Sequence, residues 1–366
     1  MLPLQTQLFL RQHGLAALCE KFTLKAVRHA QFPNLVLLKY NQIFSPMSEP
    51  IVQECRGLIV DESRDFDVVS HPFHKFFNAG EPNAAPLDWK GARVFEKLDG
   101  SLMSLYFYEG AWQVASSGTP DASGPMGTRT SKTMAQTFWE VWRDLGLQLP
   151  PAEFAGWWFG FEFMTPWNQV VVRHQSSKIV SIGARRPDGT EIWPADLPFD
   201  WPQVASFPIG NLEDALRAAE QIPKASGEGF VVCDAEFRRV KIKSPGYVML
   251  HHLRDQLSTP RLLQIVRSGE EGEFIAYFPD LASHLNEIRA RFEALIAEVE
   301  LDFEAIRAIE SPREFAEAAK IKRTGAALFA LRNRKANSAR EFFANTSLAP
   351  LISLLGLRET NAETPE

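Results

Sequence analysis

Three cysteines in 366 residues, Cys19, Cys55 and Cys233, are too few and too far apart to form a disulfide framework or a metal-ligand cluster. They read as small buried hydrophobes in a reducing compartment, so a cytoplasmic protein is expected. No apolar run approaches the ~20 residues that a membrane-spanning helix needs. The first fourteen residues lack the basic-then-apolar order of a secretory signal, so no membrane partner is expected. Net positive charge is lacking too: the formal charge is -6 and the pI about 5.8. That excludes a protein that coats nucleic acid through bulk charge, but not an enzyme with a local basic groove. Internal repeats and low-complexity segments are absent.

What is present is the texture of a folded protein, 45% hydrophobic and 23% charged, and long enough for two domains. Up to about residue 245, short runs rich in Val, Ile, Phe and Tyr alternate with Gly, Asp, Pro and Ser. The runs predict strands at 35–39, 57–60, 93–97, 102–108, 112–116, 158–163, 169–173, 179–184, 229–233 and 237–243. Glu109-Gly110 and Pro187-Asp188-Gly189 are turn signals. Helices are predicted at 131–145, with Met134, Phe138 and Trp142 at helical spacing, and at 211–221, opened by an Asn211 cap.

Beyond Ser244-Pro245-Gly246 the period changes. Leu281, Leu285, Ile288, Phe292, Leu295, Val299, Phe303 and Ile306 form one helical stripe, and Ser311-Pro312-Arg313-Glu314 starts another helix. The expected division is therefore residues 1–245 and an all-helical domain at 246–366. Lys320, Lys322, Arg323, Arg332, Arg334, Lys335 and Arg340 cluster in the latter without an intervening acid. They suit either a phosphate track or one solvated helix face.

The chemistry-bearing segment is Phe95-Glu96-Lys97-Leu98-Asp99-Gly100-Ser101-Leu102. Strand alternation puts Lys97 and Asp99 on one face, and Gly100 lets the chain pass close to a ligand. A lysine attacks phosphorus only as a neutral amine, which burial and nearby cations favour. Taken alone, the segment also reads as a surface hairpin with an Asp-Gly turn. Downstream, Glu228-Gly229 opens a strand, and Arg239, Lys241 and Lys243 share one face of the next. A two- or four-residue turn would pair Glu228 with Lys243 and gather carboxylate and cations, as a metal–triphosphate site requires. An amphipathic hairpin with exposed charges fits those residues too. In Phe159-Gly160-Phe161-Glu162-Phe163 the lone acid needs a partner: a ribose hydroxyl, a metal or a basic side chain. Arg56-Gly57 and Lys75-Phe76-Phe77 each set a cation among apolar residues. His71 and His74 could pair on a metal, but their spacing around Pro72 reads as incidental, and His251-His252 gives no better signal.

In this order and at these spacings the segments resemble the covalent nucleotidyltransferase superfamily, and within it the phage-type RNA ligase 1 family, over roughly residues 35–245. The resemblance implies an α+β, ATP-grasp-like nucleotidyltransferase fold of antiparallel sheets with flanking helices, followed by the helical domain. It implies ATP and Mg²⁺ (or Mn²⁺) as cofactors, with Lys97 as the AMP-accepting nucleophile. Asp99, Lys241 and Lys243 would be its catalytic neighbours. Arg56, Lys75, Phe77, Glu96 and Gly100 would line the nucleotide site. Glu162 and Glu228 would bind the nucleotide and metal. The implied reaction joins RNA 5′-phosphate and 3′-hydroxyl ends in RNA repair, tRNA among the substrates, alongside an end-healing enzyme. Ser117 and Gln169 depart from the pattern, since many members carry basic residues there. A DNA ligase or capping enzyme would keep the fold but usually adds an oligonucleotide-binding β-barrel, which the helical period disfavours. An RNA-binding module without catalysis is the other alternative.

Overall fold

The computed structural model describes residues 4–357 except 43, 127–129, 169–170, 224–225, 253–257 and 278. The chain forms two compact units, Met1–His251 and His252–Glu366. Among the described residues no helix is long and apolar enough to cross a membrane.

The first unit opens with helix α1 (Gln5–Phe22) and strands β1 (Leu24–Arg28) and β2 (Leu35–Tyr40), then α2 (Pro50–Glu54), β3 (Arg56–Asp61) and β4 (Asp67–Ser70). No side chain caps α1 at Leu4. The Glu54 carboxylate does so from α2, accepting from the Thr6 amide at 2.8 Å and the Thr6 hydroxyl at 2.7 Å. The four strands make one antiparallel sheet in the order β1-β2-β3-β4. Leu24, Leu38 and Leu58 bury one of its faces with residues of α1 and α2. Leu35, Leu37 and Ile59 bury the other against Tyr106, Tyr108 and Ala115.

Then follow β5 (Phe77–Asn78), β6 (Arg93–Lys97), β7 (Ser101–Tyr108), β8 (Ala111–Ser116), α3 (Met134–Asp144), β9 (Trp158–Met164), β10 (Lys178–Arg185) and β11 (Glu191–Ile192). Last come β12 (Ser206–Phe207), α4 (Leu212–Glu220), β13 (Gly229–Cys233), β14 (Arg239–Lys243) and α5 (Pro245–His252). A second sheet has the order β12-β6-β13-β14-β5, antiparallel but for the β14–β5 pair, and a third the order β11-β10-β9-β7-β8. The third sheet packs Phe159, Phe161 and Phe163 with Phe138 and Trp142 of α3 into an aromatic core. The α+β class and the antiparallel sheets expected from sequence hold.

Local chemistry moved several boundaries. Helix α3 begins at Met134 rather than 131, because Thr133 and Gln136 form a reciprocal capping box. The strand expected at 169–173 does not form over residues 171–173, while 169–170 lie outside the described residues. The even turn expected between β13 and β14 is a five-residue connection, which places Gly229, not Glu228, opposite Lys243. The buried Asp234 carboxylate sets that length by accepting from the Glu236 and Arg238 amides at 3.0 and 2.9 Å and from Arg238 Nε at 2.7 Å.

The second unit is helical: α6 (Thr259–Ser268), α7 (Glu271–Tyr277), α8 (Ala282–Ile306), α9 (Pro312–Lys320), α10 (Gly325–Arg332), α11 (Ala339–Asn345) and α12 (Leu348–Leu354). The predicted stripe is the buried face of α8, and Ser311 caps α9 as its position suggests. The basic stretch 320–340 behaves differently from a bare phosphate track. Lys322 pairs with Asp302 at 2.8 Å, and Arg323 and Arg340 pair with Glu298 and Glu293, all three acids being on α8.

Burial pushes the Asp234 carboxyl up, but its bonds from Arg238 and the backbone outweigh this and hold it below the ordinary carboxylate value. Its ionised form therefore stabilises the fold, an effect lost as pH falls through the depressed pKa. Asp234→Ala is expected to lose about 2–4 kcal/mol in urea unfolding at pH 7. The gap from wild type should narrow below about pH 4.

Candidate active site

Lys97 ends β6 and Ser101 begins β7, so Leu98-Asp99-Gly100 carries the chain from the second sheet to the third. A Cβ on Gly100 would lie 2.6 Å from the carbonyl oxygen of Phe163, so no larger residue fits this crossing undisturbed. Because the strand stops at Lys97, the expected alternation does not reach Asp99. Its carboxylate turns inward and is buried. One oxygen accepts from the amides of Val171 and Val172 at 2.9 and 2.6 Å, and the other from the Tyr247 hydroxyl at 2.8 Å. Its carbonyl meets His174 Nε2 at 2.7 Å. Asp99 thus fixes the loop behind Lys97 rather than facing the cavity before it.

Strand register supplies the rest. Across β6–β13–β14, Lys97, Gly229 and Lys243 form one row, and Phe95, Val231 and Lys241 the next. Gly229 must be glycine: its φ is +141°, and a Cβ would meet the Ile242 oxygen at 2.1 Å. The Glu228 carboxylate lies 2.6 Å from Lys97 Nζ and 3.7 Å from Lys243 Nζ. The gathering of charge expected from sequence is therefore present, although through a different register.

The cavity before Lys97 has walls from both sheets: Phe95 and Lys241 from one, Leu102 and Glu162 from the other. Apolar residues, Ile182, Ile192 and Val204 among them, also line it, and Trp193 lies 5.7 Å from the Phe95 ring. Glu96 also borders it. Arg56 reaches it through a β-bulge, where Gly57, with φ +88°, shifts the register so that Arg56 stands opposite Lys39. The Arg56 guanidinium and Lys241 Nζ lie 5.5 and 5.2 Å from the Phe76 ring. Of Phe76 and Phe77 it is Phe76 that lines this cavity; Phe77 is paired in β5 and, with Lys75, lines a neighbouring open groove. Sequence reasoning missed Phe76 because Lys75-Phe76-Phe77 offers two aromatics and the short β5 pairing decides between them.

The charges are unevenly balanced. Among the described residues Arg56, Lys75 and Lys241 have no carboxylate partner, whereas Lys97 and Lys243 share Glu228. Burial, and then Lys75, Lys97, Lys243 and Arg56, push the Lys241 ammonium well below its usual value. Burial raises the Glu162 carboxyl to about 7; Lys97 and Arg56 oppose the rise and Glu228 adds to it. A cavity lined by both unpaired cations and apolar side chains suits a nucleotide, phosphates to the cations and base to the apolar residues.

His71 and His74 do touch, Nε2 to Nε2 at 2.9 Å. Burial, and then Arg185, keep both neutral, with His71 lowered to about 2 and His74 to about 4. Among the described residues no third ligand joins them. Ser117 packs against β3, its Cα 3.5 Å from where a Cβ of Gly57 would stand. Gln169 and the side chains of His251 and His252 lie outside the described residues.

Residues 54–185, which hold Arg56, Lys75, Lys97, Asp99 and Glu162, match the family model described as RNA ligase. A protein of Autographa californica nuclear polyhedrosis virus, named as a bifunctional polynucleotide kinase/RNA ligase, is 29% identical over 295 residues, 74% of this chain and 41% of the relative. The RNA ligase of Rhodothermus phage RM378 is 25% identical over 338 residues, 71% of this chain and 76% of the relative. Over this segment the chain resembles the phage-type RNA ligases. The chain spans about two fifths of the viral relative's length. An archaeal ATP-dependent RNA ligase superposes loosely, with a TM-score of 0.45 at 16% identity over 84% of each chain.

At this site Asp99→Ala removes the acceptor shared by two backbone amides and a buried hydroxyl, so a loss of about 2–4 kcal/mol is expected. The amides of Val171 and Val172 should then lose hydrogen-exchange protection, while Tyr247→Phe should cost only about 1 kcal/mol. For Glu162, the raised pKa means the folded chain holds a proton that the unfolded chain releases, so stability falls as pH rises toward 7. In metal-free buffer Glu162→Gln should exceed wild type by roughly 3 kcal/mol at pH 8, with the difference gone below about pH 4.

Proposed function

We propose that this chain is an ATP-dependent RNA ligase that forms a covalent lysyl-adenylate at Lys97. The observation that carries the reading is a lysine lining a cavity beside two carboxylates and two cations, Arg56 and Lys241, that lack carboxylate partners among the described residues, with Lys75 in the adjoining groove. In the first step Lys97 Nζ, having lost its proton, attacks the α-phosphorus of ATP. A nitrogen–phosphorus bond forms, the bond to the bridging oxygen breaks, and pyrophosphate leaves. The Lys97–Glu228 ion pair must open for this attack. Arg56, Lys75 and Lys241 would hold phosphate oxygens and stabilise the charge that builds up in the transition state. Glu228 and Glu162 fit a divalent ion such as Mg²⁺ or Mn²⁺ completed by water and phosphate oxygens, and such an ion would neutralise phosphate charge. AMP then passes to an RNA 5′-phosphate, and a 3′-hydroxyl finally displaces it to seal the strand.

The finer assignments belong to the same proposal. Residues to about 245 would be the adenylyltransferase domain and 246–366 a module for RNA choice, broken tRNA loops included, in the cytoplasm. Polynucleotide kinase activity, which the viral relative's name couples to ligation, is the class of reaction that would supply the 5′-phosphate.

The test is incubation with Mg²⁺ and ATP labelled at the α-phosphate, on protein first shown by mass to be free of AMP. Wild type should acquire covalent label that survives denaturation and alkali but is released by acid, as a phosphoramidate is, and Lys97→Ala none, while Lys241→Ala should slow labelling by about 10²-fold or more. Labelled protein should transfer AMP to 5′-phosphorylated RNA in preference to nicked DNA. An AMP-free wild type that takes up no label would sink the ligase reading and favour a binding module.

A further inference from the structure

From the edge of the cavity outward, one row of charge meets no carboxylate among the described residues. In the first sheet Lys25 of β1 stands directly opposite Lys39 of β2, and Lys39 directly opposite Arg56 of β3. Like charges placed opposite one another across a sheet repel. Among the described residues none of the three meets a carboxylate, and neither lysine side chain has a hydrogen bond. The row is no accident of an exposed edge. Arg56 joins it only because the bulge at Gly57 shifts β3 by one residue, and Arg56 borders the nucleotide cavity. Burial falls outward along the row: Arg56 and Lys39 are half-buried, and Lys25 is exposed.

The neighbours fix where the row opens. Lys39 has the parity of Leu35 and Leu37, whose face packs on Tyr106 and Ala115 of β7 and β8. It therefore emerges where that face ends, beside the loop leaving β8. Its Nζ lies 3.7 Å from the position a Cβ of Gly118 would take. Ser117, next to it, packs on Gly57. The chain thus brings a cation from β2 to a loop whose own residue 117 carries no charge.

We infer that Lys25, Lys39 and Arg56 form a cationic ladder that grips the phosphate backbone of an RNA strand as it enters the site. The inference rests on the ligase reading and adds to it the surface that holds the RNA. Strands are spaced about 4.8 Å apart, so three rungs extend about 10 Å from the cavity edge. That is the track of a polyanion leaving the site rather than a pocket for one phosphate group. Phosphate contacts of this kind fix position without reading sequence.

The experiment measures binding of a 5′-phosphorylated single-stranded RNA 12-mer to the full chain by fluorescence anisotropy over a range of salt. Wild type, Lys25→Ala/Lys39→Ala and Lys25→Arg/Lys39→Arg are compared, with ATP affinity measured on each. The alanine pair should bind RNA about tenfold more weakly whatever its sequence. Its slope of log affinity against log salt should be shallower by about 1.4, or about 0.7 for each phosphate that is no longer neutralised. The arginine pair should keep both. Unchanged RNA affinity and slope in the alanine pair, or a wild type that binds no RNA, would overturn the ladder. A loss of ATP affinity as large as the loss for RNA would overturn it too, giving the row to the outer phosphates of the nucleotide. Binding is read without catalysis, so a wild type that takes no label on Lys97 would sink the ligase reading and leave the ladder to be judged on RNA binding alone.

Discussion

Three residues, Leu98 to Gly100, carry the chain between two sheets, and the site depends on how tightly that crossing is held. A crossing this short leaves Lys97 at the seam, where the sheets can enclose a cavity in front of it. It also removes the freedom that a loop lysine would otherwise have, because Asp99 commits both carboxylate oxygens and its carbonyl to the structure behind. Loss of side-chain entropy at the reacting group is thus incurred largely at folding and not again when a ligand arrives. The glycine at the crossing and Gly229 in the next strand serve the same end, each admitting a backbone where a Cβ could not fit.

Charge balance separates binding surface from scaffold. Arg185 and Arg239 share the one carboxylate of Glu191 in a buried set, and Arg238 is held by Asp234. Those cations are structural, since removing the acid would strand a buried charge. Arg56, Lys75 and Lys241 crowd together without a carboxylate partner among the described residues, at a cost in desolvation and mutual repulsion. Folding tolerates that cost where a bound anion recovers it. The depressed Lys241 ammonium and the raised Glu162 carboxyl are two sides of one condition: a cavity too dry to hold isolated charge of either sign.

Periodicity made much of this legible in the sequence. The bounds of β6 and β13, the helical stripe on α8 and the Ser311 cap follow from spacing alone, because each is decided by neighbours within a few residues. What was not legible is decided across the chain. The Asp99 alternation failed because β6 ends where the chain changes sheets, and no local signal marks that point. The β13–β14 register failed because a buried carboxylate, Asp234, favours a five-residue connection. Phe76 rather than Phe77 faces the cavity through a two-residue pairing too short to show a period. Strand β1 went unread because its charged residues, Lys25 and Arg28, hide an alternation that exists only against β2.

The same long-range placement changes where RNA contact is to be sought. By sequence, 320–340 is the most cationic stretch, with no acid inside it. In three dimensions α8 supplies the acids, and Lys322, Arg323 and Arg340 are each paired. A cation already matched by a carboxylate gains little from a phosphate, since one partner is exchanged for another. Lys25, Lys39 and Arg56 lie far apart in sequence, in a chain of net charge -6, and attract no notice there. Sheet register aligns them in one unpaired row. For a phosphate backbone the decisive quantity is charge without a partner, and a count of lysines and arginines along the chain does not measure it.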